Sequence, residues 1–99
     1  MYAVFRENTY PTDLELNEHP DFREFQQKHA DQPGYLGTVV TDTGNGRFLS
    51  ITLWATEADM KAAREVLGPV VRLLLDPLMA APSELLGTGR VVVNDVIES

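Results

Sequence analysis

At 99 residues, 43% hydrophobic and 23% charged, the chain has the balance of one small globular domain, 1–99, rather than of a disordered segment. A net charge of −7 counts against a phosphate-backbone partner, so no nucleic acid is expected. With no cysteine, no signal-peptide pattern in MYAVFREN and no apolar run near the ~20 residues of a bilayer span, the expectation is a cytoplasmic protein with no disulfide, no thiol chemistry and no membrane.

YAVFR, Tyr2 to Arg6, is apolar and aromatic enough for a first strand. The turn-rich NTYPTDLELNEHP follows, in which Leu14 and Leu16 suggest a segment that packs down. Pro20 suits the first position of a helix, where its missing N–H costs nothing. DFREFQQKHA then sets Phe22, Phe25 and His29 near one helical face, and Pro33-Gly34 stops the helix by Gln32.

GYLGTVVTDTGNGRFLSITLW, Gly34 to Trp54, predicts a hairpin turning at Asn45-Gly46. A two-residue turn places Val40 opposite Ile51, Thr41 opposite Ser50 and Gly37 opposite Trp54. A four-residue turn keeps the same faces together, whereas a bulged loop scrambles them. Thr56 predicts an N-cap, with Asp59 three residues on. MKAAREVL then buries Met60, Ala63 and Leu67. Gly68-Pro69 ends that helix and starts a second piece, VVRLLLDPLMAA, apolar almost all round. RVVVNDVI, Arg90 to Ile97, predicts the last strand, with a bend or bulge at Gly87 and Gly89.

The order is β-α-β-β-α-β with the second helix broken in two. That predicts an α+β, ferredoxin-like domain, a four-stranded antiparallel sheet with helices on one face. The other face then needs a cover. Both hairpin faces carry large apolar groups: Leu36, Thr38, Val40, Leu49, Ile51 and Leu53 on one, and Tyr35, Val39, Thr41, Phe48, Ser50, Thr52 and Trp54 on the other. A wet sheet face of that kind exceeds what monomers tolerate, so a symmetric homodimer is expected, sheet against sheet. The second face mixes Tyr35, Phe48 and Trp54 with the hydroxyls of Thr41, Ser50 and Thr52. Aromatic walls with a few polar groups line small-molecule pockets; equally, the hydroxyls bond backbone and the rings fill core.

His29 is a candidate proton acceptor with a pKa near neutrality. The alternative is a helix C-terminal histidine favoured by the helix dipole. Tyr10, after the first strand, is placed to overhang a cavity mouth. Arg72 interrupts an apolar helix and either snorkels or anchors an acidic ligand. His19 and His29 are too far apart in sequence for a helical metal pair, so no metal is expected. Gly44-Asn45-Gly46 leads into a strand, not a helix, which removes a phosphate-loop reading.

The run QPGYLGTVVTDTGNGRFLSITLWATEADMKAA resembles the antibiotic-biosynthesis-monooxygenase-like (ABM) family of dimeric α/β barrels. The matching features are the Pro33-Gly34-Tyr35 step into a strand, the strand-end Trp54 and the capped helix begun by Thr56, Glu57 and Ala58. PSELLGTGRVVVNDV resembles the family's last strand. The resemblance implies a homodimeric barrel and a cofactor-independent monooxygenase-like activity on an aromatic or polyketide-like small molecule. In that chemistry the substrate's own carbanion reduces oxygen, and the protein supplies hydrogen bonds and a dry cavity. It also implies roles for Asn8, near the end of the first strand, and for Trp54. The alternatives are a loop-capping Asn8 and a core Trp54. Heme-degrading members use a later helical His, and no His follows His29 here, so no cofactor is expected. The competing expectation is a non-catalytic, small-molecule-binding or structural barrel. An RNA-binding sheet of the same topology, faintly echoed in GRFLSITL, is disfavoured by the charge.

Overall fold

The computed structural model describes residues 1–96. In chain order the elements are β1 (Tyr2–Thr9), a 3-10 turn (Leu16–Glu18), α1 (Pro20–Ala30), β2 (Tyr35–Gly44), β3 (Arg47–Trp54), α2 (Glu57–Leu74), a second 3-10 turn (Asp76–Leu78) and β4 (Ala81–Arg90). The four strands form one antiparallel sheet in the order β2-β3-β1-β4. This is the ferredoxin-like α+β arrangement that the element order predicts.

The helix signals act where the sequence puts them. Pro20 opens α1, and His19 caps it by accepting the Asp21 N–H at Nδ1, 3.1 Å away. Thr56 Oγ1 accepts the Asp59 N–H at 3.1 Å and fixes the start of α2. The second helix is bent rather than separated: Pro69 lies inside α2. Its ring removes one N–H from the ladder, but the helix runs on to Leu74. Its later turns are not buried all round, since Leu73 is exposed while Leu74 and Leu75 are buried.

Two register findings correct the sequence expectation. Asn45 and Gly46 do make the turn, at φ 58° and 77°. Immediately beyond, Thr43 bulges out between the Asp42↔Phe48 and Gly44↔Arg47 pairs. Asp42 Oδ1 accepts the Gly44 N–H at 2.8 Å, and Thr43 Oγ1 donates to the Arg47 carbonyl at 3.0 Å, which holds the bulge. Val40 therefore faces Ser50, Val39 faces Ile51 and Thr38 faces Thr52. The two faces of β2 are exchanged relative to β3. Thr38 and Val40 join Ser50, Thr52 and Trp54, while Val39 and Thr41 join Leu49 and Ile51.

The second correction concerns the last strand, which is Ala81–Arg90 and not Arg90 to Ile97. Its partner decides this. Arg90 pairs with Tyr2, where β1 begins, so the valines beyond it have almost no chain to pair with. Only the Val91 N–H still reaches the Met1 carbonyl, at 3.0 Å. Pro82 is tolerated because β4 is an edge strand. The irregularity expected near Gly87 is present, with the register slipping between the Phe5↔Gly87 and Arg6↔Leu85 pairs. Ile97 lies outside the described residues.

The helices cover one side of the sheet. Trp54, Met60, Ala63 and Leu67 form the buried cluster, with Tyr2, Val4 and Tyr35 packed against it. The three α2 residues are those predicted. Leu16 is buried and Leu14 half-buried, so the segment after β1 does pack down. The other side of the sheet is open. It carries cross-strand rows such as Phe5–Ile51–Val39 and Ala3–Leu53–Gly37.

Candidate functional site

The core is small because much of the space between helices and sheet is a cavity of about 490 Å³. Cross-strand pairing lays out its floor in rows: Tyr2–Trp54–Tyr35, then Val4–Thr52–Thr38, then Arg6–Ser50–Val40, then Asn8–Phe48. Phe22, Phe25 and His29 of α1 form one wall, and Met60, Arg64, Leu67 and Arg72 of α2 another. No α1 residue is fully buried, because its apolar face borders the cavity and not a packed core.

Of the residues singled out from sequence, Asn8, Tyr10, His29, Phe48, Ser50, Thr52 and Trp54 all line this cavity. Tyr35 stands one layer behind, against His29 and Trp54. Thr41, expected among the pocket hydroxyls, lies on the open face, and Thr38 takes its place. The hydroxyls are partly spoken for: Tyr35 OH donates to Thr38 Oγ1 at 3.0 Å, and Thr38 and Thr52 share a hydrogen bond of 3.1 Å.

His29 and Trp54 come together, with ring centroids 5.6 Å apart. The His29 ring also sits 5.2 Å from that of Phe25 and 5.1 Å from that of Tyr35. Asn8 is not part of this group. It is six residues along β1 from Tyr2, the partner of Trp54, a backbone separation of ~20 Å at the usual strand rise. Asn8 neighbours Tyr10 and Phe48 instead, and these two rings meet edge to face at 5.6 Å. The cavity thus has a His29–Trp54 end and an Asn8–Tyr10 end, with Arg6 and Ser50 between.

Three buried polar atoms have no hydrogen-bond partner among the described residues: Asn8 Oδ1, Tyr10 OH and His29 Nδ1. Burial among aromatic rings lowers the His29 pKa to about 4. This corrects the expected near-neutral value: at pH 7 the imidazole is an unprotonated, weak base. Burial also pushes the Tyr10 phenol up to about 12, and the Asp76 carboxylate adds to the rise. The Asn8 side chain acts on Tyr10 in the opposite sense, as a hydrogen-bonding neighbour does, without closing a bond of good geometry. Tyr10 is therefore a neutral donor across the physiological range.

Sequence reasoning missed Arg6, Arg64 and Gln26. Arg6 alternates with Val4 and Asn8 on a strand with neighbours on both sides, so the helix-facing side claims it. Arg6 closes the predicted strand YAVFR, which leaves no alternation beyond it to set its face, whereas β1 runs on to Thr9. Arg64 lies four residues after Met60 and four before Gly68, on the predicted inner stripe of α2. Among the described residues no three potential metal-ligating His, Cys, Asp or Glu side chains cluster. No helix among them is long and apolar enough to cross a membrane.

No protein-family model matches the chain, and no curated protein matches it in sequence. Solved structures do match it in shape. A variant of SnoaB, a cofactor-independent oxygenase from Streptomyces nogalater, superposes with a TM-score of 0.70 at 15% identity, covering 94% of this chain and 95% of that one. A protein of unknown function from Nitrosomonas europaea gives 0.74 at 12% identity, covering 99% and 95%. The heme-degrader MhuD of Mycobacterium tuberculosis, with two hemes in its active site, gives 0.59 at 18% identity, covering 95% and 98%. The chain has the ferredoxin-like fold of the ABM proteins, as the sequence resemblance implied. At these identities the likeness is one of fold.

Proposed function

We propose that the chain is a cofactor-independent monooxygenase-like protein acting on an aromatic or polyketide-like small molecule. The observation that carries this reading is the cavity itself: aromatic walls with unpartnered polar atoms at both ends. Such a site binds a flat, weakly acidic ring system and holds it away from water. The reaction is the oxidation of an activated ring CH2 to a carbonyl. One C–H proton leaves, the carbanion is oxidised by dioxygen and a C–O bond forms to give a hydroperoxide. Loss of the second proton from that carbon then makes the C=O bond, breaks the O–O bond and releases the outer oxygen as water. Neutral His29 beside Trp54 accepts the proton only from a substrate that is itself acidic, because its basicity is low. Tyr10 and Asn8 orient the far end of the ring system by hydrogen bonds.

The low basicity of His29 also favours a second reading, a barrel that binds a small aromatic metabolite and returns it unchanged. Oxygen uptake separates the two. Metal-stripped protein is offered a panel of anthrone-type and hydroquinone phenols, and each compound's autoxidation is subtracted. We expect uptake proportional to enzyme and reduced at least ~10-fold, a typical general acid–base contribution being 100-fold or more, in Trp54→Phe, His29→Gln or Asn8→Ala. Uptake unchanged in all three variants removes these residues from the mechanism. No enzyme-dependent uptake across the panel favours the binding barrel.

The proposed assembly is a homodimer through the open sheet face. There Phe5, Val39, Leu49 and Ile51 are 37–63% exposed, more apolar surface than a monomer of this size keeps wet.

A further inference from the structure

The charge inside the cavity runs against the charge of the protein. The chain has 15 acidic and 8 basic side chains, yet the cavity is lined by Arg6, Arg64 and Arg72 and by a single carboxylate, Asp76. Asp76 acts on Tyr10, at the Asn8 end. Among the described residues the ion pairs are Arg47–Glu7 and Lys61–Glu57, so no cavity arginine has a carboxylate within 4.0 Å. Arg6 is the sharpest case. It projects from the middle of the sheet, half-buried beneath the helices, with five N–H donors. Its one side-chain hydrogen bond among the described residues is a long one to Ser83 Oγ, at 3.4 Å. Arg64, across the cavity on α2, donates to the Met60 sulfur at 3.2 Å, a weak acceptor. Burial and the neighbouring positive charge of Arg64 both disfavour the charged form of Arg6. An anion placed between the two guanidiniums reverses that second effect and supplies acceptors to both.

We propose that Arg6 and Arg64 form an anion-binding subsite in the centre of the cavity, and that the aromatic ligand carries a carboxylate that docks there. The inference rests on reading the cavity as a small-molecule site and narrows its ligand to acidic ring systems. The geometry explains the layout: the carboxylate seats on the Arg6–Ser50 row, and the rings extend towards Trp54 and His29. A neutral polycycle satisfies the aromatic walls and leaves the two arginines with only the Ser83 hydroxyl and the Met60 sulfur as side-chain acceptors. Arginine suits this task because its planar fork meets a carboxylate with two parallel hydrogen bonds.

The test compares anthraquinone-2-carboxylate with anthraquinone-2-carboxamide at pH 7. Quenching of Trp54, the chain's one tryptophan and a cavity residue, reports binding. The carboxylate is expected to bind at least ~10-fold tighter at low salt, with the advantage shrinking as salt is raised. Arg6→Gln is expected to abolish the advantage while leaving carboxamide affinity within about twofold, since only the charge-assisted bonds are lost. Arg64→Gln, at an exposed position, is the companion variant should Arg6→Gln fold poorly, and it is expected to cut the advantage at least ~3-fold. Equal binding of the two probes overturns the anion subsite alone. So does an advantage that persists in the Arg6→Gln/Arg64→Gln double variant. Failure of both probes to bind overturns the small-molecule reading of the cavity together with this inference.

Discussion

His29 ties the packing of α1 to the chemistry of the cavity. Its ring is wedged among Phe25, Tyr35 and Trp54, and its Nδ1 has no hydrogen-bond partner among the described residues. In the unfolded chain the imidazole titrates near 6.5 and in the fold near 4. Between those values the unfolded state binds more protons, so burial of His29 costs stability as pH falls from 6.5 towards 4 and nothing above that window. At pH 4.5 the loss is on the order of 2 kcal/mol. Wild type is therefore expected to lose about that much more than His29→Phe between pH 7 and pH 4.5 in urea unfolding. The ring's NMR titration is expected to have its midpoint below pH 5. A midpoint near 6.5 places the ring in water and removes it from the aromatic cluster. Histidine at the end of a helix is common, and the sequence carried the alternative of a dipole-favoured surface residue. What decides between them is Tyr35 and Trp54, more than five residues away in sequence, and no local pattern reports that packing.

The helices and β3 were legible because their signals are local. Pro20, Thr56 and the Met60–Ala63–Leu67 spacing act within one or two turns, and β3 alternates cleanly from Phe48 to Trp54. Loss of the Thr56 cap in Thr56→Ala is expected to cost about 1 kcal/mol, seen as a Tm lower by ~4–8 °C for a domain of this size. A change below 1 °C means that another group caps α2. The exchanged faces of β2 were not legible, because they depend on one residue, Thr43, leaving the ladder. A single bulge turns every later side chain over. Deletion of Thr43 is a direct check. It removes the extra residue and leaves a simple two-residue hairpin in which Asp42 still faces Phe48, Val40 still faces Ser50 and Thr38 still faces Thr52. The Thr38–Thr52 and Tyr35–Thr38 hydrogen bonds are then kept. The deletion is expected to change stability by no more than ~1 kcal/mol, since the side-chain bond that goes with Thr43 is its exposed one to the Arg47 carbonyl. A loss of ~3 kcal/mol or more is evidence that Thr43 is not the extra residue and that the deletion has turned the strand over. The last strand was placed too late for a related reason: VVV has the higher β propensity, but a strand needs a partner, and β1 starts at Tyr2. Propensity is a local quantity and pairing is not.

At the scale of the whole molecule, the question is what a 99-residue chain does with two apolar sheet faces. One face is spent on the cavity, so the packed core is small: among the described residues nine hydrophobic residues are buried, and six of them, Tyr10 and Trp54 included, line the cavity. The other face leaves Phe5, Ile51 and Val39 in one row across three strands, with Leu49 beside them. The Glu7–Arg47 ion pair of 3.0 Å borders this patch. Covering the patch with its own copy, as proposed, would stabilise the protein where the core does not, since burying each such side chain fully is worth ~1.5–3 kcal/mol. In the proposed dimer the same contact would back the sheet that carries Arg6, Ser50 and Trp54 on its reverse side. Stability and cavity geometry would then be coupled to association, and dilution should weaken both. Wild type is expected to elute and scatter as a dimer at micromolar concentration, with a Tm that rises with protein concentration. Ile51→Glu, at a position 39% exposed in the protomer, puts a charge at the centre of the patch. It is expected to give a monomer whose Tm is lower than that of wild type and independent of concentration. It is also expected to bind ring probes in the cavity more weakly, although Ile51 does not line it. A wild-type monomer at the same concentration, with a concentration-independent Tm, rules the dimer out and leaves this face to a different partner.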